Sequence, residues 1–509
     1  MTAALTHLWR LARWGRTLAR HGALLGIERD RNAPAGVRRL ARLARFGALM
    51  PETPRYAEAF ESICPAAIKL GQALATRPDL VGEAAATDLL RLQDKLPPVP
   101  FSAIRTALDE AFEGRTEQLF ASIDPEPVGA ASIAQVHKAV TSDGRTVALK
   151  VLRPGIEPAF AQAIETYEWA AIRVENLGGE AARLRPRAVI DTFKRWTDGE
   201  LNLRLEAASA SELASTMAAE PGFRVPAVDW ARTTRRVLTI DWIDGIKLTD
   251  RAGLEAAGFD RKMLAASLVR AFLRQAIADG FFHADMHQGN LFACADGRVA
   301  VIDFGIMGRL DRRARVYLAE ILYGLLTGGY RRVAEIHFEA GYVPAYHSVD
   351  EFATALRAVG EPIRGLPVKD ISVGALLDGL FAITRQFEMP TQPHLLLLQK
   401  TMVMVEGVAL ALDPDVNMWE IAEPFVAEWM RDELGPEAKL ADSLVLGARS
   451  LKELPAFLRR VMALLPMEGA APPQRPLPEI AVRDRRSWPV WLAGAAGVAL
   501  GLGLAALIG

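Results

Sequence analysis

Cysteine is nearly absent. Cys64 and Cys294 are the only two in 509 residues. Two thiols so far apart make neither a disulfide framework nor a metal-ligand spacing, so both read as buried thiols in a reducing compartment. Net charge is nearly absent too, with 60 basic against 61 acidic side chains, which argues against nucleic acid as a partner. The N-terminus lacks an unbroken apolar run, because Arg10, Arg13, Arg16 and Arg20 interrupt it. A secretory signal needs that run, so the bulk of the chain is expected in the cytoplasm. No internal repeat stands out. What remains is half apolar and a quarter charged, a globular composition long enough for two lobes with extensions.

Charge is unevenly placed. Residues 1–50 hold ten arginines against two acids, Glu28 and Asp30. Leu5, Leu8, Trp9 and Ala12 recur at helical spacing beside them. Such a helix either lies on an anionic membrane or packs on the body of the protein. Residues 51–115 read as helical, with Ser102 placed to cap a helix after Pro97, Pro98 and Pro100. Strand-like runs follow at Ile133–Val140, Thr146–Leu152 and Arg236–Trp242, with helix at 160–218. The pattern divides 116–245 from a mostly helical 246–465. Residues 466–487 form a Pro-rich charged linker, and Trp488 to Ile508 carries no charge over about the length of a membrane-spanning helix. Arg483, Arg485 and Arg486 precede that run, so its leading side is expected to be cytoplasmic. Gly497 and Gly501 form a G-x-x-x-G pair that allows a homodimer.

The chemistry concentrates in His283-Ala284-Asp285-Met286-His287-Gln288-Gly289-Asn290 and Asp303-Phe304-Gly305. Phosphoryl transfer needs a carboxylate near the acceptor hydroxyl and oxygen ligands for magnesium. Asp285 and Asn290 keep the D-x-x-x-x-N spacing of a kinase catalytic loop, and Asp303 follows after a short hairpin, in position to hold metal. Lys150 ends the run Val147-Ala148-Leu149-Lys150, 21 residues beyond Gly129. The small residues Gly129, Ala130, Ala131 and Ser132 stand where a kinase would place its glycine-rich phosphate loop. Glu206 lies in a helix that could hold the lysine. Lys69-Leu70-Gly71-Gln72, taken alone, reads as helix surface.

Together these segments resemble the UbiB family, the ADCK-type atypical kinases linked to ubiquinone biosynthesis. The resemblance runs from about residue 55 to 425. It rests on Lys-Leu-Gly-Gln at 69–72, Gly129 to His137, Leu205-Glu206-Ala207-Ala208, His283-Ala284-Asp285 and Leu412-Asp413-Pro414-Asp415. It implies a two-lobed protein-kinase-like fold of α+β class with an N-terminal helical extension, to which the terminal uncharged run adds an expected C-terminal transmembrane helix. It implies ATP and Mg2+ as cofactors, and a catalytic set of Asp285, Lys150 and Glu206. Asn290 and Asp303 would hold metal. Gly129 to Ser132 with Lys150, Asp241 and Ile243 would contact the nucleotide, and Lys69, Gln72 and Glu200 would restrict access to the site. The implied partners are membrane lipids, quinone precursors and other ubiquinone-biosynthesis proteins, at the cell inner membrane. Four positions depart from the family pattern: Asn202 replaces an aspartate, Met286 and Gln288 replace prolines, and Gly129 replaces a frequent alanine.

After Gly305 a helical pattern begins almost at once, with no Ala-Pro-Glu and no Ser or Thr to phosphorylate. A conventional Ser/Thr kinase docks peptides on that missing segment. Three readings stay open: an atypical kinase or ATPase acting on a lipid precursor, a small-molecule kinase of the aminoglycoside-phosphotransferase type, and a nucleotide-binding scaffold.

Overall fold

The structure is a computed structural model. It describes residues 2–26, 35–45, 51, 53–75, 81–89, 91–92, 97–176, 185–364, 379, 382–389 and 392–434. Among these, no helix is long and apolar enough to cross a membrane. The expected spanning run at 488–508 and the linker before it lie outside the described residues. The chain forms two compact units. One holds residues up to Ala208 with Val228–Trp242. The other holds Ser209–Ala227 and the described chain from Ile243 onward.

The first unit contains an antiparallel sheet in the order Phe120–Ala130, Ala134–Thr141, Thr146–Leu152, Val237–Asp241. Alternation along the third strand decides its two faces. Val147, Leu149 and Val151 are fully buried beneath the Phe101–Ala111 helix, with Ile104 and Leu108. Ala148 and Lys150 therefore fall on the other face. Gly129 is in strand, paired with Val136. Ser102 lies inside the Phe101–Ala111 helix, and the capping position is taken by Pro100 without a side-chain bond. Cys64 is only half-buried, unlike Cys294.

The helix Thr2–Arg20 packs on this unit by one face. Leu11, Trp14 and Leu18 enter a core shared with Ala66, Phe160, Phe193, Leu203 and Ala207. Arg10 donates to Gln162 Oε1 at 2.8 Å, fixing the helix against Ile156–Asn176. From Trp14 a series of rings runs inward: Trp14 to Tyr167 at 5.2 Å, Tyr167 to Phe193 at 6.2 Å, and Phe193 to Trp196 at 6.2 Å. Leu5 and Trp9 stay exposed, at 61% and 63%. The helix thus has one packed face and one open apolar end.

The second unit has a small sheet in the order Phe223–Arg224, Val299–Val301, Leu291–Cys294, Gly245–Lys247, and a two-stranded ladder of Phe281–His283 with Met307–Arg309. Gly308 lies under the Phe282 ring, where a Cβ would sit 2.1 Å from Cζ, so this ladder closes only with glycine. The helix Arg261–Leu273, capped by Asp260, is mostly buried and packs against Pro393–Leu412 and Met418–Leu434. It runs into a π-helical turn, Arg274–Asp279, that ends at Gly280 with φ of 69°. Such turns accommodate one extra residue and cluster at functional sites.

Candidate functional site

Within the first unit, two lysines are held by glutamates. Lys150 Nζ lies 2.7 Å from Glu206 Oε1, with both side chains mostly buried. The strand fixes the lysine between Val136 and Leu238 of its neighbours, and the helix Leu203–Thr216 presents the glutamate in its first turn. Asn202 Oδ1 accepts from Arg204 N at 3.3 Å, so this residue caps the helix that carries Glu206.

Lys69 is not a helix-surface residue. It is 7% exposed, and its Nζ approaches both carboxylate oxygens of Glu200, at 3.1 and 3.3 Å. The ring of Trp196 lies 5.8 Å from the same ammonium, one turn before Glu200 on the Pro186–Glu200 helix. Trp196 therefore adds a cation–π contact that local sequence gave no reason to expect. Gly71 explains why this helix can sit so deep: a Cβ there would meet Leu92 at 2.4 Å and Phe60 at 2.9 Å. Gln72, beside it, is half-buried.

The turn after Ala130 is tied rather than loose. Ala131 N donates to Ala134 O at 2.8 Å, and Ser132 is fully buried. Arg153 binds the turn from below, through Nε to Ala131 O at 2.8 Å and Nη1 to Pro97 O at 3.0 Å. Sequence reasoning passed over Arg153, whose signal would have been an arginine directly after a strand. Asp241 ends its strand 3.9 Å from Arg145.

Within the second unit, the acidic residues are held from behind by neutral groups. His283 is buried, and burial pushes its pKa below the ordinary value. Its Nδ1 accepts from Asp285 N at 3.1 Å, which places the proton on Nε2, donated to the Asp303 carbonyl. One ring thus orders both aspartates through their backbones. Gln275 Oε1, from the π-helical turn, accepts from His283 N at 3.0 Å. Asn290 Nδ2 donates to Asp285 O at 3.2 Å. Asp303 Oδ1 accepts from Gly305 N at 3.1 Å. His287 lies 3.7 Å from Asp285. Ile243 is buried here with Cys294 and Ala300.

The donor set fits magnesium. Among the described residues no three His, Cys, Asp or Glu side chains cluster as a complete metal cage. One carboxylate, Asp303, and one amide oxygen, Asn290, make a sparse oxygen set. Magnesium favours such a set, filling its octahedron with phosphate oxygens and water.

Comparison with known proteins gives the family. Residues 91–337 match the ABC1 atypical kinase-like domain, and residues 356–417 match the UbiB helical domain. A probable protein kinase UbiB from Marinobacter nauticus is 37% identical over 442 residues, covering 84% of this chain and 81% of its own. Another of that name, from Pseudomonas fluorescens, is 39% identical over 388 residues, covering 75% and 73%. Among solved structures, the Rv3197–erythromycin complex from Mycobacterium tuberculosis aligns with a TM-score of 0.50 at 26% identity, covering 64% of this chain and 83% of that one. With its kinase-like α+β fold, the chain belongs to the UbiB family.

Proposed function

We propose that this protein is an ATP- and magnesium-dependent atypical kinase or ATPase supporting ubiquinone biosynthesis, and that it acts on, or exposes, a polyprenyl lipid precursor at the inner membrane. The observation that carries the reading is the ordering of Asp285, Asn290 and Asp303 by His283 and by each other's backbone. Bound MgATP supplies the transferable phosphoryl group. Lys150, held by Glu206, offers a fixed positive charge to the phosphates. Asn290 and Asp303 would hold the metal. Asp285 accepts a proton from the attacking hydroxyl or water.

The acceptor class follows from what the chain leaves out. Only residues 306–311 separate Gly305 from the helix that begins at Arg312, so no platform for a peptide is built there. The Trp488–Ile508 run is the proposed anchor, with the kinase-like part on the cytoplasmic side of Arg483, Arg485 and Arg486. Lys69, Gln72 and Glu200 are proposed to limit access to the nucleotide and suppress transfer to protein.

The decisive test is Asp303→Asn in the intact chain. Magnesium-dependent ATP binding should fall at least about a hundredfold while the fold survives. A variant that binds MgATP as the parent does would end the metal assignment. With the parent protein, ATP hydrolysis raised by quinone-precursor lipids supports the reading. A phosphorylated soluble metabolite points instead to a small-molecule kinase. Full function in cells carrying Asp303→Ala leaves only a scaffold.

A further inference from the structure

Deepening the membrane part of that reading, we infer that the outer stripe of the Thr2–Arg20 helix is a docking surface for an anionic lipid bilayer, separate from the terminal apolar run. The exposed positions of this helix include Leu5, Trp9, Arg13, Arg16 and Arg20. They recur at steps of four, four, three and four, which puts them on one face. The opposite face is committed elsewhere: Leu11, Trp14 and Leu18 are in the core, and His7 and Arg10 bond to Thr166 and Gln162. The stripe therefore cannot turn inward to hide its two apolar side chains.

Its composition selects the partner. Leu5 and Trp9 are more than half exposed. Three arginines continue the same line, and the Arg13 guanidinium lies 5.8 Å from the Trp9 ring. No acidic side chain occurs in residues 1–27. The helix Ala35–Arg45, packed against this one, adds exposed Arg39, Arg42 and Leu43, the last at 65%. Unpaired apolar side chains at the end of a basic line match a headgroup region. There Trp and Leu enter the acyl boundary, and arginines meet phosphate. A nucleic acid would use the arginines but give Leu5 nothing to enter.

The test keeps the full chain and needs no activity. Protein is mixed with vesicles of phosphatidylcholine, or with the same vesicles holding about 30 mol% phosphatidylglycerol. Trypsin cleavage after Arg13, Arg16 and Arg20 is followed by mass spectrometry. Anionic vesicles should slow these cuts by at least about tenfold over neutral ones, because each arginine near such a surface contributes a factor of about five. Salt at about 0.5 M should remove most of the protection. Replacing Leu5→Glu with Trp9→Glu should abolish it, and since both side chains are exposed the circular dichroism should not change. Equal protection by neutral and anionic vesicles overturns the proposal. So does protection by heparin that matches the vesicles and survives the Leu5→Glu, Trp9→Glu change, since that marks a general polyanion face. Asp303→Asn should keep the protection, so a failure of the nucleotide reading appears separately. Insertion of the terminal run is common to both vesicle types and does not move the ratio.

Discussion

The two units hold their chemical groups in opposite ways. In the first, Lys69 and Lys150 are each held by a buried glutamate, so charge answers charge. In the second, Asp285 and Asp303 are fixed through their backbones by a neutral histidine. The difference is instructive. A lysine bound to a carboxylate keeps its position with its net field reduced. The backbone hydrogen bonds that order an aspartate need no buried counter-charge. Truncating one partner in the first unit should therefore strand a buried charge, whereas in the second it should leave a backbone group without its hydrogen bond.

The comparison breaks most visibly at Glu206. Glu206→Ala leaves Lys150 buried without its carboxylate, which should cost about 3–5 kcal/mol in denaturant unfolding. MgATP affinity should fall with it. A loss under about 1 kcal/mol would mean that the pair is solvated and the contrast between units is wrong.

A smaller effect is expected at His283. His283→Ala removes the partners of Asp285 N and the Asp303 carbonyl, at about 2–3 kcal/mol. The parent should also show a pH signature. The folded histidine has its pKa lowered by burial, so it stays neutral where the unfolded chain takes up a proton. Its contribution is whole above about pH 6.5 and declines as pH falls below that value. His283→Gln should flatten the stability curve between about pH 5 and 6.5. Unchanged slope in that window would show that the ring is not neutral in the fold.

The smallest effect on stability should come from removing the Lys69 pair as a whole. Lys69→Leu with Glu200→Leu should stay within about 1 kcal/mol of the parent, because neither partner is left alone in the interior. ATP affinity, lipid-stimulated hydrolysis and self-phosphorylation should nevertheless change. Arg91→Ala, at a side chain 73% exposed, should alter none of them. If the double variant matches the parent in all three, Lys69 is structural only.

The linear pattern exposed the parts that repeat along the chain. The alternation at Thr146–Leu152 placed Lys150 on a strand, and the spacing of Asp285, Asn290 and Asp303 needed no partner to be seen. What it hid depends on distant residues. Lys69 looks like surface until Trp196 and Glu200 are packed over it, and Gly71 gives no hint that Phe60 and Leu92 press against it. Gln275 is an ordinary helix residue unless the π-helical turn carries it to His283. The first helix takes one of its two expected fates, packing on the body of the protein. Its buried half comes from tertiary packing, and the stripe at Leu5 and Trp9 remains outside.

That buried half also bears on where the protein can be cut. The recognisable kinase-like stretch begins at residue 91. Leu11, Trp14, Leu18 and Ala66 nevertheless close the same core as Phe160, Phe193, Leu203 and Ala207. A fragment trimmed to the family boundary would bare Tyr167 and Phe193, which Trp14 and its neighbours now cover. Such a fragment should be sticky and short-lived, however complete its motifs look on paper. The unit that folds is longer than the unit that is recognised.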